Sequence, residues 1–436
     1  MARWIADWHP DDPAFWERDG KRVARRNLVF SILAEHLGFT VWTLWSIVAA
    51  KMGSYDFTTD QLFWLVALPN LIGSALRIPY TFGPARFGGR TFTVASALLL
   101  LIPAILLGVA VSDPGTPYWL FLVIAATAGF GGGNFASSMA NITYFYPQHK
   151  QGSALGLNAA GGNIGVSSVQ LVMPLVIGAF GLAAAGWFWV PFVVVAAACA
   201  WFFMDNLASA KASPREQWAV AGKAQTWVMS FLYIGTFGSF IGYSTAFPLL
   251  SKSLFPDSSW AAVAFVGPLL GSLIRPVGGW LSDRLGGAPV TLWNFAAMGA
   301  GVVLVWLASA SGSFWLFFLA FQTLFVTAGI GNGSTYRMIP AIFQAKAAEE
   351  FGTSEQALLY GKRQASAAIG IISAIGAFGG FLINRGFGMS FAGTGSPAAA
   401  FVAFGLFYVA CFALTWWCYT RTVGVARVPS LAHARV

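Results

Sequence analysis

The sequence predicts an all-α polytopic membrane protein, with twelve transmembrane helices in two pseudo-symmetric six-helix bundles. Three observations predict it. Of 436 residues, 57% are hydrophobic and only 9% charged, with a mean hydropathy of +0.67, a composition unlike that of a soluble domain of this length. Apolar runs long enough to cross ~30 Å of hydrocarbon, about 20 residues of helix, occur twelve times. The third observation is a repeated pattern around two arginines within such runs, Arg77 and Arg275.

The chain opens on a polar stretch, 1–26, with no apolar core of a cleavable signal. It interleaves Trp4, Trp8 and Trp16 with charges, which predicts a segment lying on the cytoplasmic membrane surface. Apolar segments follow at 27–50, 61–82, 91–112, 118–146, 152–180 and 184–205, making the first bundle, 27–205. The least hydrophobic interior stretch, 206–224, is the expected cytoplasmic linker. Segments at 225–251, 260–282, 288–310, 314–343, 363–384 and 396–420 make the second bundle, 225–420, and 421–436 is a cytoplasmic tail.

The formal net charge of +9 reads as topology and not as a nucleic-acid surface. Threading twelve helices puts nineteen of the 25 Lys and Arg on one side, at 1–26, 86–90, 150, 211–223, 284, 346–363 and beyond 420. Lys51, Lys252 and Arg385 fall on the other side, while Arg77, Arg275 and Arg337 lie within segments. The positive-inside rule then makes both termini cytoplasmic. Cys199, Cys411 and Cys418 sit in apolar segments without metal-ligand spacing and read as small buried hydrophobes. His9, His36, His149 and His433 are scattered, and no nucleophile, base and acid recur together, so the sequence predicts no enzyme, cofactor or metal.

Charge in hydrocarbon is expensive and is usually kept for function. Arg77 begins RIPYTFGPARFGG and Arg275, 198 residues on, begins RPVGGWLSDRLGG; each has a second Arg nine residues later (Arg86, Arg284) and then a Gly pair (Gly88-Gly89, Gly286-Gly287). Gly129 and Gly131 recur as Gly329 and Gly331, an offset of 200. The repeat is parallel, with its axis along the membrane normal, and such proteins hold substrate near the midplane between their halves. A permanently positive pair asks for an anion; snorkelling toward water is the competing reading of these arginines. Small-residue faces, with Gly156, Gly161, Gly162 and Gly165 in segment 5 and Gly370, Gly376, Gly379 and Gly380 in segment 11, let helices approach closely, as ordinary packing also requires.

The string GFGGGNFASSMANITYFYPQHKQGSALGLNAAGGNIG at 129–165 resembles the signature region of the nitrate/nitrite porter family of the major facilitator superfamily. GPLLGSLIRPVGGWLSDRLGG (267–287) and AAIGIISAIGAFGG (367–380) resemble further signatures of that family, and the similarity covers nearly the whole chain, from about Trp8 onward. The resemblance implies the major facilitator superfamily fold and transport of nitrate and nitrite across the bacterial inner membrane by a protein functional as a monomer. It makes Arg77 and Arg275 the substrate-binding arginines, Phe135 and Phe237 rings enclosing the anion, and Tyr233 and Asn163 hydrogen-bonding partners in or beside the site. It also places Arg86 and Arg284 in short loops concerned with gating, Asp283 being present only in the second. The chemistry suits these residue types: a guanidinium is a planar fork of donors matched to a planar oxyanion.

Glu35-His36 lies about eight residues inside the first segment, ~12 Å deep, where exchangers of the family can carry apolar residues. Two buried cations without an anion are poorly solvated, which disfavours return of the empty carrier and enforces exchange. A carboxylate that neutralises an arginine in the empty state, and takes up a proton when the anion displaces it, converts exchange into nitrate/proton symport. Glu35 is therefore the candidate coupling acid and His36 a candidate relay; a fixed pair of Glu35 with Arg77 or Arg337, a Glu35 that reaches cytoplasmic water, and a helix-interface His36 are the competing readings. Arg337 is open to three readings: an exit-path anion contact, a partner for Glu35, or an interface residue. Nitrate/nitrite antiport without proton coupling and an anion channel are the alternative functions.

Overall fold

The computed structural model describes residues 4–210, 214–352, 354–421, 431 and 436. Lys211 in the linker, and His433 and most of the tail 421–436, lie outside the described residues. Among the described residues there are twelve long helical runs: α1 (Pro13–Lys51), α2 (Thr59–Phe87), α3 (Gly89–Ala110), α4 (Tyr118–Phe145), α5 (Gln148–Phe180), α6 (Ala184–Phe203), α7 (Ala224–Tyr233, continued by Ile234–Gly238 and Ser239–Leu254), α8 (Val266–Leu285), α9 (Gly287–Ala310), α10 (Phe314–Phe351), α11 (Glu355–Thr394) and α12 (Ala398–Thr420). Eleven spans among the described residues are long and apolar enough to cross a membrane. The exception is α7, whose buried Ser239, Tyr243, Ser244 and Thr245 lower its hydropathy. Polar backbone is satisfied inside each helix, as hydrocarbon demands.

The chain folds into two compact units, Met1–Ser213 with Ala261–Phe265, and Pro214–Trp260 with Val266–Val436. In the first, α2 begins on a capping box in which Gln61 N donates to Thr58 Oγ1 (3.3 Å) and Thr58 N to Gln61 Oε1 (2.9 Å). It ends at Gly88, φ +86°, a conformation that side chains rarely tolerate. The second unit repeats this stop at Gly286, φ +90°, 198 residues later. Backbones meet at equivalent glycines as well: a methyl on Gly129 would lie 2.8 Å from the Gly73 backbone nitrogen, joining α2 to α4, and one on Gly329 would strike the Gly271 carbonyl, joining α8 to α10. Association through small residues is the expected glue in lipid.

Several elements differ from the sequence-based expectation. Trp8 and Trp16 are buried with Phe145 and Leu207 in an apolar cluster of the first unit. Trp8 Nε1 donates to the Tyr144 carbonyl (3.1 Å), so residues expected on a membrane surface instead cap their own bundle. A parallel pair of strands, β1 (Trp4–Ile5) and β2 (Asn206–Leu207), ties this segment to the start of the expected linker, and Pro214–Ala221 within that linker is helical. Helix α11 runs to Thr394, which places Arg385 inside a helix and not in a loop. Its interior has no proline to stop it, and it ends on Gly395 at φ +66°.

Candidate anion-binding residues of the two units

In the first unit, Arg77 is wholly buried on α2, ten residues before the helix ends. Its Nε donates to the Gly132 carbonyl of α4 (3.2 Å). Its guanidinium carbon lies 4.5 Å from the Phe135 ring centroid and 5.4 Å from that of Trp42. Trp42 is itself fixed, its Nε1 donating to the Pro69 carbonyl (2.7 Å), and Phe39 sets its edge against both rings. The aromatic faces hold the guanidinium in orientation by cation–π attraction while Nε is anchored on backbone. Asn163, 1% exposed on α5, has no hydrogen-bond partner for either amide atom among the described residues. The same is true of Asn134 on α4, beside Phe135, which sequence reasoning passed over.

The glycines of α5 have specific neighbours. Gly161 admits Ile32, Gly162 admits the Glu35 side chain, and Gly165 meets the His36 carbonyl and Phe39; Gly156 opens on free space. Glu35 is 1% exposed and accepts from Asn158 Nδ2 at 2.6 Å. His36 Nδ1 lies 3.0 Å from the Gly161 carbonyl, which requires Nδ1 to carry the hydrogen.

In the second unit, Arg275 is half-buried on α8, its guanidinium carbon 5.4 Å from the Tyr336 ring centroid. Its Nη1 is buried without a hydrogen-bond partner among the described residues. Tyr336 continues into a run of rings, tilted against Tyr233 (6.5 Å), which stacks on Phe237 (5.4 Å, 14°). Tyr233 Oη donates to Asn332 Oδ1 (2.9 Å). Phe237 sits in the π-helical turn Ile234–Gly238, a local widening that often marks function. On α11, Gly376 makes room for Tyr233, and Gly379 lies against the Gly238 Cα. Gly380 and Gly370 offer carbonyls to Asn384 Nδ2 (2.8 Å) and Ser373 Oγ (3.1 Å). Tyr336 and Asn332 were missed in the sequence, although Tyr336 adjoins the conspicuous Arg337.

Arg337 itself is bound to Asp283, Nε to Oδ1 at 2.6 Å, with both side chains more than half exposed. Arg86 and Arg284 lie over the rings of Phe87 and Trp280 at 5.5 and 4.1 Å. No group of His, Cys, Asp and Glu suited to a metal ion occurs among the described residues.

Two repeated helical units with an arginine at equivalent helix positions, wholly buried in the first and half-buried in the second, define a secondary-transporter architecture, and the sequence profile of the Major Facilitator Superfamily matches residues 29–361. The fold is shared with a bacterial homologue of the human lysosomal transporter Spinster, solved inward-facing and unoccupied, at a TM-score of 0.63 and 16% identity over 91% of this chain and 97% of that one. The nitrate/nitrite transporter NarU of Salmonella typhimurium is 47% identical over 96% of both chains. The protein of Thermus thermophilus named probable nitrate/nitrite antiporter NarK2 is 37% identical over 96% of this chain and 97% of its own length. The chain belongs to the nitrate/nitrite porter family of the major facilitator superfamily, whose members are transporters and not enzymes.

Proposed function

We propose that the protein is a secondary active transporter of nitrate and nitrite working by alternating access, and that it takes up nitrate by symport with protons. Arg77 and Arg275 bind the anion, Phe135 and Phe237 wall it, and Tyr233 and Asn163 lie among its hydrogen-bonding partners. The observation that carries this reading is a set of unspent donors: Arg275 Nη1 and the Asn163 amide are buried without partners among the described residues. Buried donors left unmade cost roughly 1–3 kcal/mol each, more for a charged group, and an oxyanion accepting from such a donor would relieve that cost. The names of the relatives support nitrate and nitrite as that oxyanion.

Glu35 is the coupling acid. A carboxylate that close to the α5 glycine face offsets buried positive charge in the empty carrier and accepts a proton when the anion arrives. His36, with Nδ1 occupied by Gly161, keeps Nε2 available as a relay. Arg337, held by Asp283, serves gating or exit and not the resting anion site. The protein sits in the bacterial inner membrane as a monomer with both termini cytoplasmic, in keeping with its charge distribution.

The name of the Thermus relative favours a second reading, nitrate/nitrite antiport without proton coupling. Proteoliposomes separate the two: nitrate added outside, with no internal anion, drives proton entry in a symporter. A requirement for internal nitrite, or proton-coupled uptake that persists in Glu35→Gln, would overturn symport. Acceleration of uptake by nitrate on the opposite side separates a carrier from a channel.

A further inference from the structure

Between α1, α4 and α5 the first unit holds a buried chain of polar side chains that the proposed anion contacts do not include. Asn158 Nδ2 on α5 donates to Glu35 Oε2 (2.6 Å) and to Ser138 Oγ on α4 (2.6 Å), and Ser138 Oγ lies 2.8 Å from Ser31 Oγ on α1. Asn158, Glu35 and Ser31 are each at most 1% exposed and Ser138 is 6% exposed, so water is excluded from the chain. Ser138 Oγ accepts from the amide, and either serine hydroxyl can donate to the other. Asn158 Oδ1 is buried with no partner among the described residues, which leaves an acceptor in reserve next to an acid. The slot for the acid is cut by Gly162, where a methyl would collide with the Glu35 carboxylate.

We propose that Asn158 is the positioning residue that holds Glu35 in both of its protonation states. The inference rests on Glu35 as the coupling acid. With Glu35 ionised, the amide N–H donates to the carboxylate, a charge-assisted bond roughly twice as strong as a neutral one. When the carboxylate takes a proton from the side the anion enters, that oxygen becomes a donor. A half-turn of the Asn158 amide then brings Oδ1 to accept the new O–H, and Ser138, whose hydroxyl can donate as well as accept, turns its hydrogen to the amide oxygen. The proton leaves on the opposite side, and the amide turns back. Neither leucine nor aspartate can do both: leucine serves neither state, and aspartate accepts but does not donate.

Other titratable groups of this unit's helices include Glu17, Arg18, Asp19, Lys21, Arg22, Arg25, His36 and Lys51 on α1, Asp60, Arg77, Tyr80 and Arg86 on α2, Tyr118 and Tyr144 near the ends of α4, and Cys199 on α6. At the basic end stand Arg26 with Asp205, Arg90, His149 and Lys150. None of these is joined to Asn158 by a hydrogen bond among the described residues, so a change at Asn158 reports on Glu35.

The test measures nitrate-driven proton entry against external pH in proteoliposomes for wild type, Glu35→Gln, Asn158→Leu, Asn158→Asp and Ser138→Ala, with nitrate counterflow in parallel. Coupled entry falls as pH rises and Glu35 stays ionised. Loss of the donor to the ionised form lets Glu35 keep its proton to higher pH, so Asn158→Leu moves the half-maximal point up by about one pH unit, a tenfold change. Asn158→Asp, placing a second carboxylate against the first, moves it further, and Ser138→Ala moves it less in the same direction. Counterflow stays within about twofold. If Glu35→Gln abolishes proton entry while the Asn158 and Ser138 profiles superimpose on wild type, the role of Asn158 is refuted and that of Glu35 stands; the same holds if Asn158→Leu and Ser138→Ala both lose counterflow. If Glu35→Gln leaves proton entry intact, Glu35 is not the coupling acid and the inference falls with it.

Discussion

Asp283 and Arg337 form an ion pair at 2.6 Å that the repeat does not duplicate: the positions 198 and 200 residues earlier hold Ala85 and Ser137. The two units share a scaffold but not their loop electrostatics. Exposed pairs contribute at most about 1 kcal/mol. Asp283→Asn is therefore expected to leave the melting temperature in detergent within about 2 °C of wild type. A larger fall would mean that the pair carries structural weight its exposure does not suggest.

Arg77 is gripped by Phe135, Trp42 and the Gly132 carbonyl, an arrangement built for a flat guanidinium. Arg77→Lys keeps the charge but loses both the stacking and the fork. The KM for nitrate in counterflow should rise at least about tenfold, equivalent to roughly 1.4 kcal/mol. A KM within twofold of wild type would show that charge alone suffices.

Removing the Tyr233 hydroxyl leaves Asn332 Oδ1 buried without its donor. Tyr233→Phe should cost about 1 kcal/mol, read as a fall of roughly 2–4 °C in melting temperature. An unchanged melt would indicate that Asn332 finds another donor.

Glycines should divide by what faces them. Gly329→Ala forces a methyl onto the Gly271 carbonyl and should lower melting by several degrees, overpacking costing about 1–3 kcal/mol. Gly299→Ala meets nothing within 4 Å and removes only backbone freedom, so melting should hold steady or rise slightly. Equal responses at the two sites would refute the packing account.

Asp205, 3% exposed, accepts from Arg26 Nη2 (2.5 Å) and Asn27 Nδ2 (3.0 Å). Asp205→Ala strands both donors. Because Arg26 is about a third exposed, the cost should be nearer 2 kcal/mol than the full penalty of a broken buried pair. Thermal melts in detergent decide it: no loss would mean that water replaces the carboxylate.

The repeat was legible because its marks are local: an arginine, a second arginine and a glycine stop at fixed spacing, which reappear as equivalent positive-φ caps at Gly88 and Gly286. The two repeated arginines were legible because charge stands out in apolar sequence. Tryptophans among charges look the same whether they lie on a membrane or under their own bundle, and only the contacts of Trp8 and Trp16 with Phe145 and Leu207 separate the two. The partner of Arg337 lies 54 residues away, beyond any local pattern. Asn134, Asn158 and Asn332 are single polar residues in apolar helices, and what each faces depends on the rotation of that helix, which spacing does not fix. The π turn at Phe237 is likewise invisible, since Gly235 and Gly238 are as common in straight membrane helices.

The pairing of Trp4–Ile5 with Asn206–Leu207 has a consequence for biosynthesis. The earliest described residues to be made are among the last of the first unit to find their place, since their partner strand is roughly 200 codons downstream. At about 5–20 residues per second, the amino-terminal strand waits some 10–40 s while six helices are inserted. Closure of that strand pair thus marks, within a single nascent chain, the moment at which the first half is complete and before the second has been synthesised.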